Sequence, residues 1–184
     1  MKQIIQIAGV KSHEEAQMLA SRGATHLGFP FGLDYHAEDT SVEEASSIIR
    51  KLPENVFPVL ITYYNKAGQI RELMDMLGCR IVQLHGLVAT TEIDKLRKIS
   101  PGVEIWKSLV IHPQHPEHSY VRLKEFVDHV DAFITDTFDP DTGASGGTGK
   151  IHDWRISWEI IRRSYKPVII AGGLAIRRGQ GEPV

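Results

Sequence analysis

Residues 132–150 read AFITDTFDPDTGASGGTGK. An apolar run ends in Asp136, and a glycine-rich stretch, GASGGTGK, follows at 143–150. A nucleotide P-loop built on Gly149-Lys150 needs glycine at 144 and a hydroxyl at 151. The chain has Ala144 and Ile151, so that reading fails at two positions. What remains is either a flexible Gly/Ser/Thr connection or a phosphate cradle belonging to another architecture. The flanking sequence decides between them.

Outward from this stretch the chain alternates between two periodicities. Short apolar runs at 3–8, 26–31, 57–63, 81–85, 103–111, 132–136 and 167–171 predict seven buried strands. Amphipathic segments at 13–22, 41–52, 66–77, 90–99, 116–129 and 154–164 predict six helices, with apolar residues such as Ile70, Leu73, Met74 and Leu77 at helical spacing. Ser12 before Glu14-Glu15, and Ser41 three residues ahead of Glu44, carry N-cap chemistry. Gly23 and Gly78 stand where left-handed C-caps belong. Continuous apolar strands alternating with helices require a parallel sheet with covered faces and right-handed crossovers.

Such a repeat fits a doubly wound sheet or a (β/α)8 barrel. The first strand is followed by AGVKSH rather than GxGxxG, which removes the main support for a dinucleotide fold. In a barrel, chemistry gathers at strand C-termini and phosphate binds late in the chain. His85, Lys107 and Asp136 stand at predicted strand ends, and the glycine loop follows strand 6 as Gly172-Gly173 follows strand 7. Glycine lets backbone N–H groups converge on phosphate oxygens without a Cβ in the way. The expectation is a (β/α)8-type TIM barrel with seven parallel strands, lacking the last βα unit, in a single domain over residues 1–184.

Composition narrows the function. The 184-residue chain carries a formal charge of −2, a poor match for nucleic acid. No stretch approaches the roughly 18 apolar residues of a membrane span, and the N-terminus lacks the pattern of a signal peptide. A single cysteine, Cys79, excludes an internal disulfide and a cysteine-rich metal site, which points to a reducing cytoplasm. No cofactor and no metal are expected.

Four motifs in order carry a resemblance: Ile81-Val-Gln-Leu-His-Gly86; Asp136-Thr137; Gly146-Gly147-Thr148-Gly149-Lys150 followed by Asp153-Trp154; and Lys166-Pro-Val-Ile-Ile-Ala-Gly172-Gly173-Leu174. Over residues 3–174 the chain resembles phosphoribosylanthranilate isomerase of tryptophan biosynthesis. The resemblance implies a (β/α)8 barrel that performs an Amadori rearrangement of a phosphorylated small molecule without a cofactor. It implies Asp136 as the general acid that protonates the ribose ring oxygen, which requires a raised pKa. It implies Gly146, Gly147, Thr148, Gly149, Gly172 and Gly173 as phosphate-binding residues. Lys107 matches a strand-5 lysine that leans toward substrate, and His85 fits either substrate contact or orientation of its loop.

Departures from the family are as specific. Its first strand ends Lys-Ile-Cys-Gly with the cysteine as general base, where this chain has Gln6-Ile7-Ala8-Gly9. Cys79 cannot replace it, because it precedes strand 4 and lies on the opposite rim, where it packs. The family's Ser-Pro-Arg after strand 2 becomes Gly32-Leu-Asp-Tyr-His36-Ala-Glu-Asp39. His36 stands as a substitute base or carboxylate partner, against the plainer reading of a solvated loop histidine. After Leu174 the last βα unit is replaced by a short Gly/Pro-containing tail, so exposed barrel edges predict association with another copy. Three functions stay open: an isomerase using another base, an enzyme for a different phosphosugar, and a non-catalytic phosphate binder.

Overall fold

In the computed structural model, residues 3–32, 38–112, 114–140, 151 and 153–174 are described. All seven predicted strands and all six predicted helices are present. They run in the order β1 (Gln6–Ala8), α1 (His13–Ser21), β2 (His26–Phe31), α2 (Val42–Ile49), β3 (Phe57–Thr62), α3 (Ala67–Leu77), β4 (Ile81–Leu84), α4 (Thr90–Ile99), β5 (Glu104–Ile111), α5 (Pro116–Phe126), β6 (Ala132–Thr137), α6 (Trp154–Arg163) and β7 (Val168–Ile169). The strands form one sheet in sequence order, and the register is parallel for β1–β2, β2–β3, β3–β4, β4–β5 and β6–β7. By internal contacts the chain divides into two compact units, residues 1–107 and 108–184.

Unit 1 curves. Gln6 Nε2 on β1 donates to Gln83 Oε1 on β4 at 3.0 Å, although three strand spacings in a flat sheet would hold these strands roughly 14 Å apart. His26 on β2 likewise meets Trp106 on β5, with ring centroids 5.3 Å apart. The register places Gly28, Val59, Ile61, Ile81, Gln83 and Trp106 on this same concave face. The alternate positions Leu27, Phe29, Leu60, Val82, Leu84 and Ile105 are fully or nearly fully buried and form the layer that the helices cover. The helix side contributes Ile70, Leu73, Leu77, Ile93 and Leu96, all buried.

Helix ends follow the predicted chemistry. Ser12 Oγ accepts the Glu15 N–H at 3.1 Å. Ser41 and Glu44 form a reciprocal capping box, with bonds of 3.0 and 3.2 Å. Gly78 closes α3 at φ 76°. The N-terminus of α3 has no local side-chain cap. Glu92 of α4 supplies it instead, accepting the Ala67 N–H at 2.7 Å, and that bond holds its carboxyl below the usual range.

In unit 2, Leu109, Ile111, Leu123, Phe126, Phe133, Ile134 and Ile160 build a second core. Ser119 Oγ of α5 donates to the Val110 carbonyl at 3.1 Å, and Asp153 caps α6 by accepting the Arg155 N–H at 2.9 Å.

β3, β4 and β5 fall one residue short of their apolar runs, whereas β1 and β7 each fall three short, and these two share a feature. The Ile5 N–H goes to Thr25 Oγ1 at 2.9 Å, and the Ala171 N–H goes to Thr135 Oγ1 at 2.9 Å. A threonine hydroxyl takes each place that a backbone carbonyl would hold in a regular ladder.

Candidate active site

The C-terminal end of β1 in unit 1 presents Ala8, exposed and without any ionisable group. The following Gly9 N–H donates to the Gly28 carbonyl at 3.0 Å. A Cβ on Gly9 would stand 3.2 Å from Asp39 Oδ2, so a carboxylate lies against the residue next to Ala8. Lys11 Nζ holds the other oxygen of Asp39 at 3.0 Å, which tethers the segment after β2 to the loop after β1. Two residues before Ala8 and on the same face, Gln6 keeps its Oε1 buried with no hydrogen-bond partner among the described residues.

The end of β4 carries His85 and Gly86. His85 is buried, its ring 4.7 Å from that of Tyr63, and its N–H extends the β3 ladder by donating to the Thr62 carbonyl at 2.9 Å. Gly86 is required by close approach: a Cβ there would lie 2.8 Å from the Tyr63 carbonyl oxygen, a contact no side chain tolerates. The buried Lys107 explains how this turn is fixed. Its ammonium donates to the Leu84 carbonyl at 3.0 Å and the Gly86 carbonyl at 3.1 Å, with His85 O at 3.5 Å. The register pairs Lys107 with Leu84 on the helix-facing side of the sheet, and from there its ammonium holds the carbonyls of the β4–α4 loop. A buried ammonium needs such acceptors. Cys79, buried and just ahead of β4, has its thiol pushed up to about 12 by burial, which leaves it packing and not acid–base work.

In unit 2, Asp136 stands one residue before the end of β6. Burial pushes its carboxyl up to about 6, and the Thr137 N–H, donating to Oδ1 at 2.8 Å, opposes that rise. Thr135 fastens this strand end to the segment after β7. Its hydroxyl donates to the Ala171 carbonyl at 3.0 Å and accepts the Ala171 N–H. Gly172 and Gly173 follow at once, with φ of 92° and 65°. Both φ values lie in the region that only glycine enters without strain, so the chain turns here at two positions a side chain would disfavour. The strand end that carries Asp136 and the glycine turn after β7 are thus joined through one threonine.

Of the residues expected from sequence, His36, Gly146, Gly147, Thr148 and Gly149 lie outside the described residues. Asp39 carries no sequence signal that marks it, because it is one acidic residue in a loop. Its approach to Gly9 and its pairing with Lys11 arise only when the loops after β1 and β2 meet.

Parallel strands alternating with helices, with polar and glycine residues gathered at strand C-termini, define the class: a (β/α)-barrel protein. Within it, the model of the N-(5'phosphoribosyl)anthranilate (PRA) isomerase family matches residues 5–178, across both units, and the chain belongs to that family. It is 36% identical over 171 residues to N-(5'-phosphoribosyl)anthranilate isomerase 2 of Methanosarcina mazei, covering 92% of this chain and 74% of the relative. Isomerase 1 of the same organism is 30% identical, covering 95% of this chain and 78% of its own length. Phosphoribosyl anthranilate isomerase from Thermotoga maritima superposes with a TM-score of 0.78 at 23% identity, covering 95% of this chain and 78% of that one, which extends the likeness to the fold.

Proposed function

We propose that this chain isomerises N-(5'-phosphoribosyl)anthranilate to the 1-deoxyribulose 5-phosphate isomer. Asp136 carries the reading: its carboxyl is held near 6 by burial, so at pH 7 roughly a tenth of the molecules carry the proton the reaction needs. Asp136 gives that proton to the ribose ring oxygen as the C1–O bond breaks. The anthranilate nitrogen supplies the electron pair and becomes a C=N bond. A base then removes the C2 proton, the electrons move to the C=N group as an enolamine, and reprotonation leaves the ketose. No external oxidant or cofactor is required, because oxidation at C2 balances reduction at C1.

The phosphate is held by Gly172 and Gly173, joined by Gly146, Gly147, Thr148 and Gly149 as the resemblance implies. Lys107 acts as a positioning residue through the β4–α4 loop that carries His85. With Ala8 at the family's cysteine position, the base is Asp39 or His36. The geometry beside Gly9 favours Asp39 among the described residues. Among those residues no helix is long and apolar enough to cross a membrane, which suits an enzyme of cytoplasmic amino-acid biosynthesis. Exposed Ile7 on β1 and Ile5 just ahead of it support self-association.

The absence of an ionisable group at Ala8 favours a second reading, a phosphate-binding protein without turnover. Consumption of phosphoribosyl anthranilate, followed by its fluorescence at high enzyme concentration, separates the two. Turnover that disappears in Asp136→Asn supports the isomerase. No turnover, with phosphate still bound, supports the binder.

A further inference from the structure

The loop between β5 and α5 carries a side-chain cluster that the proposed reaction does not use. The stretch 112–118 reads HPQHPEH. Two turn hydrogen bonds, from the His115 N–H to the His112 carbonyl and from the His118 N–H to the His115 carbonyl, both 3.1 Å, bring residues three apart to one side. The His115 and His118 rings stack 5.1 Å apart with 19° between their planes, and the His112 ring lies 6.0 Å from that of His118. The Glu117 carboxylate reaches His115 Nδ1 at 3.2 Å. One ligand atom each from His115, Glu117 and His118 lies within 4.8 Å of the others.

We propose that His115, Glu117 and His118 bind one divalent transition-metal ion, with His112 or water completing the coordination shell. Two imidazoles and a carboxylate suit Zn²⁺, Ni²⁺ or Cu²⁺ and discriminate against Mg²⁺ and Ca²⁺, which take oxygen ligands. Metal–nitrogen bonds of about 2.0 Å place ligand atoms of a tetrahedral shell roughly 3.3 Å apart. The widest-spaced pair therefore needs to close by at most about 1.5 Å. All three are exposed, so side-chain rotation alone supplies that closure.

The positive end of α5 opposes a cation at this place, and the Glu117 carboxylate offsets it. The site is thus of modest affinity and depends on that carboxylate. His112 also packs on Phe138, just beyond β6, with ring centroids 4.2 Å apart. A bound ion that recruits His112 would brace the start of α5 against the end of β6.

The test uses the full chain purified without a histidine tag and stripped with a chelator. Zn²⁺ is titrated by calorimetry and Co²⁺ by visible absorption. The expected result is saturable binding of one equivalent, no response to Mg²⁺, and a loss of affinity of about tenfold or more in both His118→Ala and Glu117→Gln. Melting curves without metal should match the parent, since these side chains are solvated. Unchanged Zn²⁺ affinity in His118→Ala would place the ion elsewhere and overturn the proposal. Non-saturable binding, or equal binding of Mg²⁺, would overturn it as well. None of these readouts involves turnover, so the outcome stands apart from that of the isomerase assay.

Discussion

The ends of β1 and β6 differ in what each offers a proton. At β6 the carboxyl of Asp136 is half-buried, raised to about 6 and fixed by the Thr137 N–H, while the neighbouring Thr135 ties the strand to the glycines after β7. At β1 the corresponding residue is Ala8, and the acid beside the next residue is Asp39, ion-paired with Lys11. One end holds a half-buried carboxyl on a regular strand, and the other has no ionisable side chain of its own but a loop carboxylate beside it. Strands fix a side chain through packing and ladder bonds, whereas a loop carboxylate depends on a few contacts. The acid end should therefore tolerate less change.

The largest effect is expected from Asp136→Asn. Removing a positioned acid costs roughly 10²- to 10⁴-fold, so kcat for phosphoribosyl anthranilate should fall by that factor with a smaller change in KM. An asparagine variant with parental kcat would remove Asp136 from the mechanism and erase the contrast between the two ends.

The same variant sharpens the comparison through stability. Asp136 has a folded pKa raised from 3.8 to about 6, so its contribution to stability is fully present below the unfolded value and is lost as pH rises through 6. A shift of about 2 units corresponds to about 3 kcal/mol at most. Asp136→Asn should therefore be more stable than the parent at pH 7.5, with the advantage shrinking toward pH 4. Urea melts of both proteins at the two pH values check this, and a constant difference would show that burial does not perturb the carboxyl.

At the other end, Ala8→Cys restores the residue found in the resembling family. If a base is what limits turnover, kcat should rise about 100-fold. Asp39→Asn in the parent should lower it, unless His36 carries the proton, in which case His36→Ala abolishes the activity and Asp39→Asn leaves it intact. A parent whose rate responds to none of the three changes would mean that β1 and its neighbouring loops take no part in the chemistry.

These contrasts also mark what the sequence made legible. Alternating apolar runs located all seven strands, because a buried parallel strand must be apolar on both faces. Ser41 with Glu44, and Gly78, gave their helix ends by local chemistry alone. Asp136 was legible from its place at a strand end. Three features were not: Lys107 folding onto the β4–α4 carbonyls, Asp39 reaching Gly9, and Glu92 capping α3 from another helix. Each joins residues 21 to 30 positions apart, and no local period encodes such a pairing. The histidines of the β5–α5 loop escaped because their convergence depends on successive turns.

The smallest expected effect concerns the link between the acid and the glycines. Thr135→Val keeps the branched shape and the burial but removes both hydrogen bonds to Ala171. Each bond contributes about 1 kcal/mol, and the Ala171 N–H and carbonyl lose a partner together, so the variant should be destabilised by about 2 kcal/mol in urea melts. If Thr135 also positions Gly172 and Gly173, inorganic phosphate should bind more weakly, and KM should rise while kcat changes less, since phosphate contacts serve ground and transition states alike. Thr135→Ser retains the hydroxyl and should recover most of the phosphate affinity even where it loses packing. If valine lowers stability yet leaves phosphate affinity untouched, the threonine only fastens β7 to β6. The anion cradle would then be independent of the strand that carries the acid.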